Sequence, residues 1–261
     1  MREASKFMSS TQQSDPKAKP LTLSFDIGGS HLKAGVLNHA GEMVETPHRV
    51  VTPKPSKPAA VVDALLGLAR QFSRFDRISI GFPGVVRADH VLTAPNFGTK
   101  QWRRFPLAAE MSRHLGKPAR MLNDASIQGL GVISGRGVEC VLTMGTGMGF
   151  ALFEDGRLGP HLEMSQHPMK KGKTYDQFVG DAALKQIGAR HWNRRMREVI
   201  GNMKTLVDYD TLYIGGGNAR LLKPPLPDNV KLVSNEAGIT GGVRVWDKRM
   251  DVVFEEHTAF E

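Results

Sequence analysis

Twice in this chain an apolar strand runs into a glycine turn and returns as a second apolar strand. The first instance is Leu21-Thr22-Leu23-Ser24-Phe25-Asp26, then Gly28-Gly29, then Leu32 to Val36. The second is Glu139 to Thr143, then Gly145-Thr146-Gly147, then Gly149 to Phe153. Each alternation has the period of a half-buried strand, and each turn has the residues of a tight hairpin. The spacing predicts a third strand at Met43-Val44 after the first hairpin, and a turn at Asp155-Gly156 after the second. Helical periodicity follows at Pro58 to Phe75, Pro106 to His114, Asp124 to Ile133 and Tyr175 to Met203, the last broken near Gly188, and a short helix is expected at Glu236 to Val243. Short strands are expected at Ile78–Ile80, Arg120–Leu122, Leu212–Ile214 and Val230–Val233. The pattern is α/β with an internal duplication of architecture. It predicts a disordered tail over residues 1–20, an N-terminal α/β domain over 21–122 and a C-terminal α/β domain over 123–261, with a ligand cleft between the two domains.

Composition narrows the field. With 261 residues, 40% hydrophobic and 23% charged, the chain can bury a full core and is not disordered as a whole. It has no apolar run of about 18 residues, so no membrane-spanning helix is expected. A lone cysteine, Cys140, excludes an internal disulfide and a cysteine-rich zinc site. The N-terminus shows no signal-peptide core, and the expectation is a cytoplasmic protein. The net charge of +9 favours anionic partners such as phosphorylated metabolites, polyphosphate, nucleic acid or acidic lipid, or serves solubility alone. Aromatic residues are 7% and form no base-stacking platform, so specific nucleic-acid binding is not expected.

The glycine turns carry the chemistry. Without a Cβ, successive backbone N–H groups at Gly28-Gly29 and at Gly145-Thr146-Gly147 can approach an anion. Ser30 adds a hydroxyl, Lys33 adds charge if it points back to the turn, and Asp26 at the end of its strand can hold a hydrated Mg²⁺. Gly215-Gly216-Gly217 follows a third apolar strand and leaves room for a base or a further phosphate. No P-loop is present, because no Lys-Ser/Thr follows the glycines at the required spacing. Asp124, where a strand gives way to a helix, is either a plain helix N-cap or a base that takes the proton from an attacking hydroxyl.

Several segments, in order, resemble the ROK family of sugar kinases. They are Asp26-Ile27-Gly28-Gly29-Ser30 with Lys33, Gly84, Pro95-Asn96-Phe97 with Trp102, Leu122-Asn123-Asp124-Ala125, Gly145-Thr146-Gly147-Met148-Gly149, Ile214-Gly215-Gly216-Gly217 and Ala237-Gly238-Ile239-Thr240-Gly241-Gly242. The resemblance covers about residues 21 to 243 and is nearest to the polyphosphate-glucokinase-type branch. It implies an actin-like ATPase fold of two ribonuclease-H-like domains around a central cleft. It also implies phosphoryl transfer from ATP or polyphosphate, with Mg²⁺, to a hexose hydroxyl, typically the 6-hydroxyl of glucose. By the same resemblance Asp124 is the catalytic base. Asp26, Gly28, Gly29, Ser30 and Lys33 form the first phosphate loop, Gly145, Thr146 and Gly147 the second, and Gly215, Gly216 and Gly217 the nucleotide-side turn. Gly84, Asn96, Asn123 and Glu163 belong to the sugar site, and a homodimer is implied.

Two departures stand out. Where the family has Glu-x-Gly-His, this chain has Glu163-Met164-Ser165-Gln166-His167, so Gln166 or His167 would have to replace the family histidine. The family's cysteine-rich zinc segment is missing, as in the polyphosphate branch, and Lys170, Lys171 and Lys173 stand in its place as either a polyanion contact or a solvated basic loop. The altered sugar segment leaves a catalytically weak sugar- or nucleotide-binding protein as the alternative to an active kinase. A sugar-sensing repressor is disfavoured, since the ~20 residues before Leu21 are too few for a helix-turn-helix domain.

Overall fold

The computed structural model describes residues 19–87, 89–234 and 237–255. The tail expected over 1–20 falls almost wholly outside them, as do Glu236 and Phe260. In chain order the strands are β1 (Thr22–Ile27), β2 (His31–Leu37), β3 (His48–Val51), β4 (Arg77–Phe82), β5 (Val86–Arg87), β6 (His90–Val91), β7 (Ala119–Asn123), β8 (Val138–Met144), β9 (Met148–Glu154), β10 (Arg157–Leu158), β11 (Pro168–Lys170), β12 (Lys173–Thr174), β13 (Thr211–Gly215) and β14 (Val230–Leu232). The helices are α1 (Pro58–Ala69), α2 (Thr99–Trp102), α3 (Leu107–Leu115), α4 (Asp124–Leu130), α5 (Tyr175–Val179), α6 (Asp181–Val207), α7 (Ala237–Thr240) and α8 (Asp251–Glu255).

Two five-stranded sheets share one topology. Their orders are β3-β2-β1-β4-β7 and β10-β9-β8-β13-β14. In each, the first three strands in sequence are antiparallel neighbours and the last two add in parallel. The duplication expected from the two glycine hairpins is therefore a duplication of whole sheets.

The alternation in β1 has a specific cause. Leu23, Phe25 and Ile27 pack with α1 and α3, among Leu65, Leu68 and Met111. Thr22 and Ser24, on the opposite face, are buried too. Small polar side chains are needed there because the chain returns over them. A Cβ on Gly242 would lie 2.1 Å from Ser24 Oγ. Ser79 Oγ donates to Gly242 O at 2.6 Å, and Trp246 Nε1 donates to Ser79 Oγ at 2.9 Å. Arg120 ties the same segment down, donating to Val245 O (3.0 Å) and Asp251 (2.8 Å) while its guanidinium lies 4.6 Å from the ring centres of both Trp246 and Phe254.

Helix α4 lies between the sheets. Ala125, Ile127 and Leu130 pack with Val141, Phe153 and Tyr213 of the second sheet and with Val245 of the returning segment. Clearance is minimal: a Cβ on Gly241 would lie 1.9 Å from Ile127 O, and one on Gly129 2.4 Å from the Phe153 ring. The far face of the second sheet is covered by α6, through Trp192, Met196, Val199, Ile200 and Met203.

The structure departs from the sequence reading at several elements, among them the tract expected from Tyr175, which is divided at Gly180 into α5 and α6. The third strand of the first sheet is His48–Val51, and Met43 makes only an isolated bridge to Leu37. The Met43 side chain is drawn under Gly35 instead, where a Cβ would lie 2.7 Å from its sulfur. Helix α1 stops at Ala69 rather than running to Phe75, because the chain turns to bury Phe72, and Glu45 accepts the Ser73 N–H beyond it. The helix expected over 236–243 is one turn of α7 followed by a 3₁₀ stretch, Gly241–Trp246, whose glycines meet Ile127 and Ser24 too closely for a regular helix with side chains. The break near Gly188 in α6 is present, at φ 73 and ψ 160.

Candidate active site

A cleft of about 400 Å³ opens between the sheets. Its lining brings together Asp26, Gly28, Gly29, Ser30, Lys33, Gly84, Asn96, Asn123, Asp124, Gly145, Thr146, Gly147, Glu163, Gly216 and Gly217, all singled out from the sequence.

The two hairpin turns face each other across this cleft. A methyl group placed on Gly29 would lie 3.7 Å from the Thr146 hydroxyl. The first turn is held from behind: Thr52 Oγ1 donates to Gly28 O (2.7 Å), Lys54 to Gly29 O (3.1 Å) and the Thr52 N–H to Ser30 O (3.0 Å). With those carbonyls engaged, the N–H groups of Gly29, Ser30, Thr146 and Gly147 donate to no acceptor among the described residues. Four unpaired donors around one opening are a cradle for anionic oxygens. The third turn can exist only as glycine at its centre. Gly216 has φ 89, and a Cβ there would lie 2.3 Å from Met144 O.

Asp124 opens α4, and its placement follows from its neighbours. The buried Asn123 side chain caps the helix, accepting the Ala125 N–H at 3.0 Å, and it donates to Gly84 O at 3.0 Å. Asp124 Oδ1 itself accepts the Ala125 N–H at 2.8 Å. Burial first, and then the nearby charges of Asp26 and Glu163, push the Asp124 carboxyl up to about 7, despite that hydrogen bond. A carboxylate at that value takes and releases a proton near neutrality.

Glu163 is held differently. Burial acts to raise its pKa, but hydrogen bonding to His161, whose Nε2 lies 3.4 Å away, and to the Ser165 hydroxyl overcomes it and holds the carboxyl low. Gln166 and His167 are exposed and do not line the cleft. Gln166 Nε2 reaches Ser165 Oγ (3.2 Å) and Asp176 (3.4 Å), and the His167 ring lies 6.2 Å from that of Tyr175. Ser165 is the residue of this segment that enters the cleft beside Glu163.

Gly215, Lys170, Lys171 and Lys173 also lie outside the lining. Lys170 pairs with Glu198 of α6 at 2.6 Å, and Lys171 sits at the β11–β12 turn with φ 55. Lys33 does turn back, but to Asp26, at 2.9 Å.

Asp176 is the main residue the sequence reading missed. It lies in the first turn of α5, accepts the Met148 N–H at 2.7 Å and lines the cleft, its carboxyl raised by burial. A Cβ on Gly147 would lie 2.5 Å from its Oδ1, so the second turn and this carboxylate need each other's shape. Thr174 and Gln177, which form a capping box around α5, were a readable signal for a helix start there. Gln128, one turn along α4 from Asp124, also lines the cleft.

Asp26 suits a divalent cation bridged to phosphate. Its Oδ2 pairs with Lys33, and Gly238 passes close to that same oxygen, where a Cβ would lie 3.3 Å away, which leaves Oδ1 as the oxygen for a cation. Among the described residues no group of three or more His, Cys, Asp or Glu forms a cage for a metal. One carboxylate plus phosphate oxygens and water is how Mg²⁺ is commonly held. Among the described residues no helix is long and apolar enough to cross a membrane.

Comparison with known proteins agrees with this arrangement. The profile of the ROK family matches residues 22–161. The polyphosphate glucokinase of Mycobacterium leprae (strain TN) is 28% identical over 239 residues, spanning 83% of this chain and 71% of that protein. Among solved structures, the inorganic polyphosphate/ATP-glucomannokinase from Arthrobacter sp. strain KM aligns with a TM-score of 0.77 at 25% identity, covering 87% of this chain and 98% of that one. A ROK family glucokinase from Streptomyces griseus, solved with glucose and AMPPNP, aligns with a TM-score of 0.70 at 19% identity, covering 86% and 98%. The shared architecture is the actin-like ATPase fold. Fold, motif order and family profile converge: the chain belongs to the ROK family and is a sugar kinase, a phosphotransferase with an alcohol acceptor.

Proposed function

We propose that the chain transfers the terminal phosphoryl group of ATP or inorganic polyphosphate to the 6-hydroxyl of glucose or a closely similar hexose, in the cytoplasm. The observation that carries this reading is the Asp124 carboxyl, raised to about 7, at the meeting point of the glycine cradle and the Glu163 side of the cleft. The names of the relatives support glucose as acceptor and both donors.

In this reading Asn96, Asn123, Glu163 and Asp176 hydrogen-bond the sugar, with Gly84, whose missing Cβ admits the Thr93 carbonyl, lining the cleft beside them, and Ser165 and His161 keep Glu163 ionised and oriented. Asp124 accepts the proton of the attacking hydroxyl as its oxygen bonds to phosphorus and the bond from phosphorus to the donor breaks. The free N–H groups of Gly29, Ser30, Thr146 and Gly147 stabilise the charge on the transferring group. Mg²⁺ held by Asp26 and the donor would supply further neutralisation of phosphate charge. Gly216 and Gly217 border the donor.

The test is a coupled assay of glucose phosphorylation with Mg²⁺-ATP and with polyphosphate, on wild type and Asp124→Asn. Turnover with glucose that falls by about 10²–10⁴ in the variant is expected. Turnover that persists in the variant would remove Asp124 from the role. Failure of glucose with both donors, alongside turnover of another sugar, would displace glucose.

A further inference from the structure

Helix α6 starts at the second glycine turn, where the Asp181 N–H lies 3.1 Å from Gly145 O and 3.2 Å from Thr146 O. It ends at Val207, from which the chain returns through β13 to Gly215. The helix therefore leads away from the cleft along the outside of the second sheet. Beyond the Gly188 break, Arg190, Arg194 and Arg197 recur at i, i+4 and i+7 and are all exposed. That spacing sets them on one face in a row ~10 Å long.

Two more cations stand close to the head of that row. Asn193 donates to Leu221 O (2.8 Å) and accepts the Lys223 N–H (2.7 Å), fastening the segment after Gly217 to α6. Arg220 and Lys223 of that segment are exposed. Asn218, just past Gly217, donates to Gly145 O at 3.2 Å, so the same segment borders the cradle.

These five cations are uncompensated. Among the described residues none of them forms an ion pair. The one carboxylate of α6 between residues 189 and 203, Glu198, is taken by Lys170. Arg195 is different, since it donates to Phe178 O at 2.8 Å and lies over the Phe178 ring. A row of like charges on a helix that leads out from a phosphate cradle complements a linear polyanion, whose charges repeat along its length, better than a compact one.

We propose that the exposed face of α6 carrying Arg190, Arg194 and Arg197, together with Arg220 and Lys223, is a docking track for the distal phosphates of an inorganic polyphosphate whose terminal unit lies in the glycine cradle. This rests on the reading of polyphosphate as a donor given above. Lys170 plays no part in it, being paired.

The test compares wild type with the triple variant Arg190→Gln, Arg194→Gln, Arg197→Gln. Glutamine keeps helix propensity and removes only charge. KM is measured for long-chain polyphosphate, tripolyphosphate, ATP and the sugar over a range of salt. The track predicts that KM for the long chain rises about tenfold and its logarithmic salt slope falls by about 2, as for three lost phosphate contacts. KM for tripolyphosphate, ATP and sugar stays within about twofold, which also certifies the fold of the variant. An unchanged KM for the long chain overturns the track, and so does an equal rise for all donors. If the wild type turns over with ATP alone, the polyphosphate-donor reading fails by itself, and retention of labelled long-chain polyphosphate is measured directly. Retention lost in the variant keeps the track as a binding surface, and unchanged retention overturns it. Single-stranded RNA retained as tightly as polyphosphate and lost in parallel would make the face a general polyanion surface and overturn the assignment.

Discussion

Substituting Asp124 by asparagine should make the protein more stable while disabling it, and the gain should depend on pH in a defined direction. The carboxyl stands near 3.8 in an unfolded chain and about 7 in the cleft. The folded state therefore holds the extra proton between those values, and wild-type stability falls as pH rises from about 4 to 7. A shift of about three units corresponds to ~4 kcal/mol. Asp124 is partly open to the cleft, so water relieves some of the penalty, and about 2 kcal/mol is the expected figure. Asparagine keeps an oxygen to accept the Ala125 N–H and carries no charge to desolvate. The assay is thermal unfolding of both proteins without ligands, at several pH values from 4 to 8.5. At pH 8 the variant should melt about 4–8 °C higher, for a chain of this size, and the two curves should converge near pH 4. A variant that is less stable at pH 8, or a gain that does not change with pH, would refute the claim that burial and the Asp26 and Glu163 charges strain an ionised Asp124.

Three further outcomes follow from the same geometry. The acceptor kcat/KM of the wild type should fall roughly tenfold per pH unit below about 7, as Asp124 takes up its proton, and the residual rate of Asp124→Asn should be flat over that range. Gly147→Ala would place a methyl 2.5 Å from Asp176 Oδ1 and push that carboxylate off the Met148 N–H; kcat/KM should drop about 100-fold, whereas a drop under threefold would show that the turn and Asp176 are independent. Arg120→Ala removes bonds to Val245 O and Asp251 and uncovers Trp246 and Phe254; urea unfolding should show a loss of about 2–3 kcal/mol, and a change under 0.5 kcal/mol would mean that the guanidinium holds nothing.

The glycine hairpins were legible because their residues are both local and restrictive. An apolar strand followed by Gly28-Gly29 or Gly145-Thr146-Gly147 admits few conformations, and the doubled sheet order follows from the repeat. Asp124 was legible as a helix start, but its raised pKa was not, because it arises first from burial between the two sheets and then from Asp26 and Glu163, which are remote in sequence. Asp176 escaped for a similar reason. It enters the cleft through contact with Gly147 and Met148, and no local pattern records that meeting. By the resemblance, Gln166 and His167 were the candidates to replace the family histidine, and Ser165 was not. Only the short 3₁₀ turn Met164–Gln166 decides which of them faces Glu163. The third strand was misplaced because Met43-Val44 reads as more strand-like than the exposed His48–Val51 edge, yet Met43 is spent on covering Gly35.

The returning segment bears on how the chain can be made. The buried face of β1 and β4 that carries Ser24 and Ser79 is closed by Gly242 and Trp246, more than 150 residues later in the chain. During synthesis at roughly 5–20 residues per second, the first sheet must wait about 8–30 seconds with that face uncovered. The amino-terminal half can form its hairpins and its α1–α3 side early, but it cannot finish as a unit ahead of the rest. Its small polar residues on the waiting face, Thr22, Ser24 and Ser79, make that interval less adhesive than an apolar face would be.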